Sequence, residues 1–309
     1  MEKKIIYPLA IIGSGIAGLT ASIYASRYQL KHILIGEIPG GLMSESVIVE
    51  NFPGFKSIKG MDLAKRIKEQ VLYYKPDWEY SLVASVEKVG DGFLVKTKNN
   101  KEFKAEYLVL ATGTKRRKLG VKGEQELTGK GVHSCVTCDG YFYKDKTVLI
   151  VGGGDAGVTA ALSIVDSAKK VYVLNDLDHL TAMPYWQKKL KAKKNVELIL
   201  SNGVQEFVGK ERLEKIILKN VYQNKKELVV DGVFVEIGSV PNTDLAQSLG
   251  AKLDERGYIK VNDAKATSVN KVYAAGDTTD GSNYFQQMLT AAAEGSIAVN
   301  AIYREINKK

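Results

Sequence analysis

Two glycine-rich turns, 139 residues apart, dictate most of what this sequence can become. Gly13-Ser14-Gly15-Ile16-Ala17-Gly18 follows the apolar run from Ile5 to Ile12. Gly152-Gly153-Gly154-Asp155-Ala156-Gly157 follows Thr147-Val148-Leu149-Ile150-Val151. Short apolar runs that end in a glycine turn read as buried strands. Helical patterns open after both turns, through Ile16, Leu19, Ile23 and Tyr24 in the first and Val158, Ala161 and Leu162 in the second. Strand-like segments come next, at His32–Ile35 and Val171–Leu174. A shift of 139 residues lays Gly13, Gly15, Gly18 and Glu37 on Gly152, Gly154, Gly157 and Asp176 without a gap. One such turn is a weak signal. Two in one register, each with an acid 19 residues past the third glycine, form an internal repeat.

The spacing has a physical reading. The first glycine lets the chain turn sharply out of the strand. The second carries no Cβ, so a pyrophosphate can approach the backbone. The third lets helix and strand pack closely, and the helix N-terminus offers free N–H groups to the phosphates. The acid at the end of the second strand suits a ribose hydroxyl. The repeat therefore predicts two dinucleotide-binding units in one α/β chain.

Two further segments fit the first unit. Tyr107-Leu108-Val109-Leu110-Ala111-Thr112-Gly113-Thr114 reads as a strand that ends in a small-residue turn. Lys271-Val272-Tyr273-Ala274-Ala275-Gly276-Asp277 reads as another, ahead of a helical run from Gln287 to Ile302. Asp277 is placed to reach a ribityl hydroxyl or a phosphate; alternatively, Asp277 or Thr279 simply caps the following helix. The order of segments predicts two Rossmann-like dinucleotide-binding domains, one inserted in the other. Residues 1–113 with 241–309 form the first, and residues 114–240 the second. The linkers fall at Gly113-Thr114-Lys115 and Gly238-Ser239-Val240-Pro241-Asn242, short and turn-rich enough to allow relative rotation.

Composition narrows the function. With 309 residues, 45% hydrophobic and 26% charged, the chain has the make-up of a globular protein of about two domains. No apolar run approaches the ~20 residues of a membrane span. Met1-Glu2-Lys3-Lys4 runs into the first strand without the small-residue cleavage site of a signal peptide, so a cytoplasmic protein is expected. The net charge of +9 invites an anionic partner. Apart from Lys115-Arg116-Arg117-Lys118 the basic residues are scattered, with no interleaved aromatics, so nucleic acid is not expected and a solvated surface that steers an acidic partner is.

The two cysteines stand together as Cys135-Val136-Thr137-Cys138, with Asp139-Gly140 after them. Three readings compete. Structural zinc needs four ligands, and the sequence offers no second pair. Two inert buried thiols are possible. A redox-active dithiol explains the spacing, because two intervening residues let the sulfurs close a small ring and such a setting lowers one thiol's pKa. Asp139 would then exchange protons with the pair, or else cap a turn.

Taken together, the glycine motifs, Cys135-Val136-Thr137-Cys138-Asp139-Gly140, Val49-Glu50-Asn51-Phe52-Pro53-Gly54 and Tyr273-Ala274-Ala275-Gly276-Asp277 resemble the low-molecular-weight thioredoxin reductases, over essentially the whole chain. The resemblance implies FAD in the first domain, a pyridine nucleotide in the second, a disulfide that passes electrons to thioredoxin or a similar small protein, and a homodimer whose domains rotate between two states. It implies that FAD lies along Gly13, Ser14, Gly15, Ile16, Ala17, Gly18, Glu37, Gly40, Gly41, Leu42, Asn51, Thr112, Gly113, Gly276, Asp277 and Gln287. The nucleotide would lie along Gly152, Gly154, Asp155, Ala156, Gly157 and Asp176. Cys138 would face the flavin, Cys135 would attack the partner disulfide, and Asp139 would be the general acid. No metal is implied.

The sequence departs from the family at two places. A basic cluster that reads the 2′-phosphate of NADPH normally follows the second strand of the nucleotide unit. Here the stretch is Asn175-Asp176-Leu177-Asp178-His179-Leu180-Thr181, without arginine or lysine. A phosphate needs guanidinium or ammonium donors, whereas Asp176 suits the ribose of NADH. In Tyr284-Phe285-Gln286-Gln287, Gln286 stands where the family often has arginine. NADH, or a donor that is no nucleotide, is expected in place of NADPH. Two alternatives keep the flavin: a dithiol oxidase that delivers electrons to oxygen, and a sensor that holds FAD without turnover. The intact dithiol beside Asp139 speaks against the sensor.

Overall fold

The computed structural model describes residues 6–308. Ile5 and the four residues before it, with their bearing on targeting, lie outside the described residues. The chain forms two compact units, Met1–Lys115 with Val240–Lys309, and Arg116–Ser239. Both are α/β, each with a parallel core sheet to which antiparallel strands are added.

The first unit opens with β1 (Ile6–Ile12), α1 (Ile16–Arg27) and β2 (His32–Ile35), and continues through α2 (Gly60–Tyr73) and β3 (Asp77–Glu79). A meander follows: β4 (Val83–Val89), β5 (Gly92–Thr97) and β6 (Glu102–Leu110). The chain then leaves through β7 (Thr114–Arg116). The second unit holds β8 (Val132–His133), the single turn α3 (Val136–Asp139), β9 (Thr147–Val151), α4 (Asp155–Ile164), β10 (Lys170–Leu174), α5 (Pro184–Lys191) and β11 (Val196–Ile199). It ends with β12 (Val204–Val208), β13 (Lys215–Tyr222), β14 (Lys225–Leu228) and β15 (Gly232–Val235). The return runs through β16 (Ser239–Pro241), α6 (Asp244–Ser248), β17 (Val272–Ala274) and α7 (Met288–Ile306).

In the first unit the strand order is β3-β2-β1-β6-β5-β4, and β17 also pairs with β6. The front half of β6 pairs antiparallel with β5 and its rear half parallel with β17, so one long strand serves two neighbours along one edge. Alternation along β1 divides the core. Leu9 and Ile11 face α1 and α7, while Ala10 and Ile12 join Val86, Phe93 and Val272 on the other side.

In the second unit the order is β11-β10-β9-β15-β8, parallel throughout. Strands buried on both faces become near-continuous hydrophobic runs. Val148 and Ile150 of β9 pack on α4, and Leu149 and Val151 pack under the antiparallel sheet β12-β13-β14.

The internal repeat holds to individual bonds. Gly13 N–H donates to the Ile35 carbonyl at 2.8 Å, and Gly152 N–H to the Leu174 carbonyl at 2.8 Å. Leu19 to Gly15 and Val158 to Gly154 are both 2.9 Å. Gly13 and Gly152 lie at φ +111° and +131°, and a Cβ on either would overlap a carbonyl, of Ala111 or of Glu236. One exchange distinguishes the copies. In the first, the Ser14 side chain fills the space against Gly36; in the second, the equivalent Gly153 faces the carboxamide of Asn175, which stands where Gly36 does.

Three local expectations need correction. Both linkers read as turns, yet their cores pair with each other as β7 and β16. The strand read from Tyr107 to Thr114 spans Glu102–Leu110, because the residues before Tyr107 find a partner in β5. The helix after Asp277 starts at Met288, so neither Asp277 nor Thr279 is its cap. Gln287 takes that place, in a reciprocal box with Thr290. Among the described residues no helix is long and apolar enough to cross a membrane.

Candidate cofactor cleft and redox disulfide

The first glycine turn opens onto a cleft of about 310 Å³ within the first unit. Gly13, Ser14, Gly15, Ile16 and Ala17 form its floor at the start of α1, and Glu37, Gly40, Gly41 and Leu42 one wall. Thr112, Gly113, Gly276, Asp277 and Gln287 complete it. A second cleft of about 430 Å³ meets the first at Gly13, Gly36, Leu82 and Thr112, so an extended ligand has a continuous trough. Gly18 lies beneath: its missing Cβ would strike the Gly13 carbonyl, so it sets the approach of helix to strand. Asn51 is exposed and does not line the cleft; its amide donates to Oε1 of Gln287 at 2.9 Å.

These residues fit a dinucleotide. A Cβ added to Gly15 or Gly113 would meet nothing of the protein within 4 Å, so both backbones face open space. The Thr114 hydroxyl lines the cleft, is buried, and has no hydrogen-bond partner among the described residues, which leaves a polar orphan for a ligand to satisfy. Glu37 stands exposed at the end of β2, where a ribose would end.

Asp277 is carried on a turn that is bolted from behind. Glu294 of α7, buried at 3% exposure, accepts from Gly276 N–H (2.7 Å), Thr279 Oγ1 (2.9 Å), Ser282 Oγ (2.6 Å) and Lys265 Nζ (3.3 Å). Burial, helped by the Glu294 charge, pushes the Asp277 carboxyl up to about 6. It is a carboxylate short of donors, the condition that ligand hydroxyls relieve. Gln286 donates to the Tyr258 hydroxyl (3.0 Å) and the Asp277 carbonyl (3.2 Å).

The second glycine turn is closed down by the loop that follows β10. Thr181 and Ala182 N–H groups donate to the Gly153 carbonyl at 2.9 and 3.0 Å. Asp155, in the first turn of α4, accepts from Met183 N–H at 2.7 Å. Asn175 ties the loop by donating to the His179 carbonyl at 2.6 Å. Gly154 and Ala156 remain at the helix start, and Gly157 packs on Gly152. Asp176, Leu177 and Asp178 are exposed, and Asp178 pairs with His179 at 2.6 Å. The whole segment from Asn175 to Met183 contains acids and no lysine or arginine.

Cys135 and Cys138 are joined as a disulfide across the start of α3, with their Cα atoms 5.4 Å apart. Cys135 is the cap of that turn and its Sγ accepts from Cys138 N–H at 3.2 Å. Cys135 is buried at 9% exposure, whereas Cys138 is exposed. Asp139 follows Cys138 and lies 3.0 Å from Nδ1 of His133. Next in the chain, Tyr141 and Phe142 are 88% and 66% exposed. Large bare aromatics beside a redox pair suit a protein partner. Sequence reasoning missed them, and missed His133, although three aromatics in Tyr141-Phe142-Tyr143 just after the cysteine pair were a visible signal.

Fold, cleft and disulfide together define a flavin-type disulfide oxidoreductase, and comparison with known proteins agrees. The profile of the pyridine nucleotide-disulphide oxidoreductases matches residues 7–295. Bacillus subtilis thioredoxin reductase is 35% identical over 315 residues, covering all of this chain and 97% of that protein. The crystal structure of T. acidophilum thioredoxin reductase superposes with a TM-score of 0.91 at 36% identity, covering 98% of this chain and 99% of that one. A ferredoxin-flavin thioredoxin reductase from Clostridium acetobutylicum is 30% identical, with a TM-score of 0.54 over 98% of this chain and 99% of that one. The chain belongs to the pyridine nucleotide-disulphide oxidoreductase family, as one of its FAD-dependent flavoenzymes of the low-molecular-weight thioredoxin reductase type.

Proposed function

We propose that this chain reduces the disulfide of thioredoxin or a thioredoxin-like protein, drawing electrons from a donor other than NADPH, either NADH or a carrier that is no nucleotide. The observation that carries the reading is the Cys135–Cys138 disulfide, whose Cys135 sulfur accepts from the Cys138 N–H and which Asp139 follows directly in the chain. Gly13, Gly15, Gly41, Gly113, Asp277 and Gln287 would hold FAD in the cleft of the first unit. When bound there, FAD supplies a two-electron carrier that can reduce a neighbouring disulfide.

The chain's own residues do the rest. The Cys138 N–H that points at the Cys135 sulfur stabilises a thiolate there once the bond is reduced. Cys135 then attacks the partner disulfide, and Cys138 resolves the mixed disulfide. Asp139 carries the proton that must leave an attacking thiol and reach a departing sulfur. Tyr141 and Phe142 offer the partner an apolar landing. In the oxidised form Cys138 is the more exposed of the two, so the order of attack is the point to test. With a partner disulfide, Cys138→Ser should trap a stable adduct on Cys135; trapping only by Cys135→Ser would reverse the order.

The donor reading rests on Asp155, Asp176 and Asp178 around a turn that lacks any cation to meet a 2′-phosphate. The Clostridium acetobutylicum relative, whose name couples ferredoxin to flavin, is a precedent for a donor that is no nucleotide. Anaerobic bleaching of the flavin separates the cases. NADH or a reduced iron–sulfur protein should bleach it, and NADPH should act only at far higher concentration. Equal bleaching by NADPH at low micromolar levels would overturn the donor reading. Asp176→Arg with Leu177→Arg should raise the response to NADPH if the loop binds a nucleotide at all.

A further inference from the structure

The carboxyl assigned above to proton transfer is not alone. His133, the last residue of the edge strand β8, is buried to 8% side-chain exposure. Its ring stacks on Phe234 of the neighbouring strand (centroids 5.4 Å apart, planes at 29°) and meets Tyr143 edge-on at 5.4 Å. Its Nδ1 lies 3.0 Å from Oδ2 of Asp139, and its Nε2 lies 2.7 Å from the Tyr143 hydroxyl. A line of three groups thus runs from the buried phenol, through the imidazole, to the carboxyl that follows Cys138.

From this geometry we infer that His133 is a positioning residue for Asp139, with Tyr143 fixing which ring nitrogen carries the proton. The inference rests on Asp139 being the proton carrier of the disulfide. A neutral imidazole has one N–H and one acceptor nitrogen. Tyr143 holds its proton firmly, because burial first, and then the charges of Asp139 and Asp231, push its acidity down. Its O–H therefore donates to Nε2, and the ring proton is left on Nδ1, aimed at the carboxylate. The two rings are held in place: Phe234 and Tyr143 flank the imidazole on two sides, and the Tyr143 ring packs so closely on Gly232 that a Cβ there would strike it.

The step served is balanced. As Cys138 resolves the mixed disulfide, its thiol proton passes to Asp139 and its sulfur forms a bond to the Cys135 sulfur. The bond from Cys135 to the partner breaks, and the departing thiolate takes up the proton. The dithiol loses two electrons and the partner disulfide gains them. His133 donates to one carboxyl oxygen, Oδ2, and so orients Asp139 to receive the proton and pass it on. The titratable groups around the line are Asp139, Tyr143 and Asp231, with Lys146 lying 5.5 Å from the Tyr143 ring centre.

The test uses the full-length, flavin-loaded protein, reduced anaerobically with a chemical thiol and desalted. It is mixed with a small alkyl disulfide at pH 6 to 9, and the thiols left on the acid-precipitated protein are counted apart from the released alkyl thiol, so no turnover through the flavin is needed. His133→Phe keeps the stacking volume and removes the donor; it should slow exchange about tenfold near neutrality and shift the pH profile. His133→Asn places an amide N–H near the Nδ1 position and should recover the rate to within about threefold. Asp139→Asn should slow exchange by itself, and adding His133→Phe to it should cost nothing more. Wild-type rates in His133→Phe, multiplying effects in the double variant, or no recovery in His133→Asn while circular dichroism stays native would overturn the role of His133. Wild-type rates in Asp139→Asn would overturn the proton-carrier reading, and this inference with it.

Discussion

Single residues decide the most here, and Asp277 shows how. Its carboxyl sits on a buried turn beside Glu294, so its pKa stands at about 6 in the fold against 3.8 in the open chain. A raised acid holds its proton in the native state while the unfolded chain has lost its own. Stability of the flavin-free protein should therefore fall as pH climbs from about 4 to 6, by at most about 3 kcal/mol, and stay lowered above that window. Asp277→Asn should remove this loss, which urea unfolding at pH 4 and pH 7.5 would read as a gain at the higher pH only. Ligand hydroxyls that donate to the carboxylate would offset the same cost, so flavin affinity should rise between pH 5 and 7. Gly15 and Gly18 make a second contrast. Gly15→Ala meets no protein atom and should fold normally with weakened flavin binding, whereas Gly18→Ala drives a methyl into the Gly13 carbonyl and should destabilise the unit itself. Flavin fluorescence and thermal melts of the two variants would separate cradle from packing.

At the scale of elements, what was legible in the sequence was whatever local pattern fixes alone. β2 and β9 have the limits that the sequence reading gave them, because a run of Ile, Leu and Val closed by glycine has no competing use for a parallel sheet. The start of α7 was not legible in the same way. Asp277 and Thr279 are good caps by type, but the chain from Gly276 to Gln286 is held by Glu294 and Lys265 from distant positions, and the helix waits until Gln287. The pairing of β7 with β16 needs partners more than a hundred residues apart, which no local pattern carries. His133 was hidden for the same reason: its meaning comes from Phe234 and Tyr143, one on another strand and one beyond a helical turn. The Gln287–Thr290 box is testable here. Gln287→Ala should cost about 1 kcal/mol of stability by denaturant titration. The same change should weaken flavin binding too, since that side chain lines the cleft.

For the molecule as a whole, two units with separate cores make separable damage. Phe234 is fully buried in the second unit between β9 and the His133 ring. Phe234→Ala should cost about 3–5 kcal/mol there, lowering one calorimetric transition while the yellow colour of flavin in the first unit persists. Loss of colour together with the fold would show that the units are not independent. The exchange between Ser14 facing Gly36 and Gly153 facing Asn175 carries a last consequence. Each pocket has room for one side chain, supplied from opposite banks in the two copies. A chimaera that grafts only the turn, or only the strand end, from one copy to the other would create either a collision or a hole. The duplicated halves could therefore have drifted apart here only by paired changes, and it is the glycine at 153 that leaves position 175 free to carry a side chain at the head of the nucleotide loop.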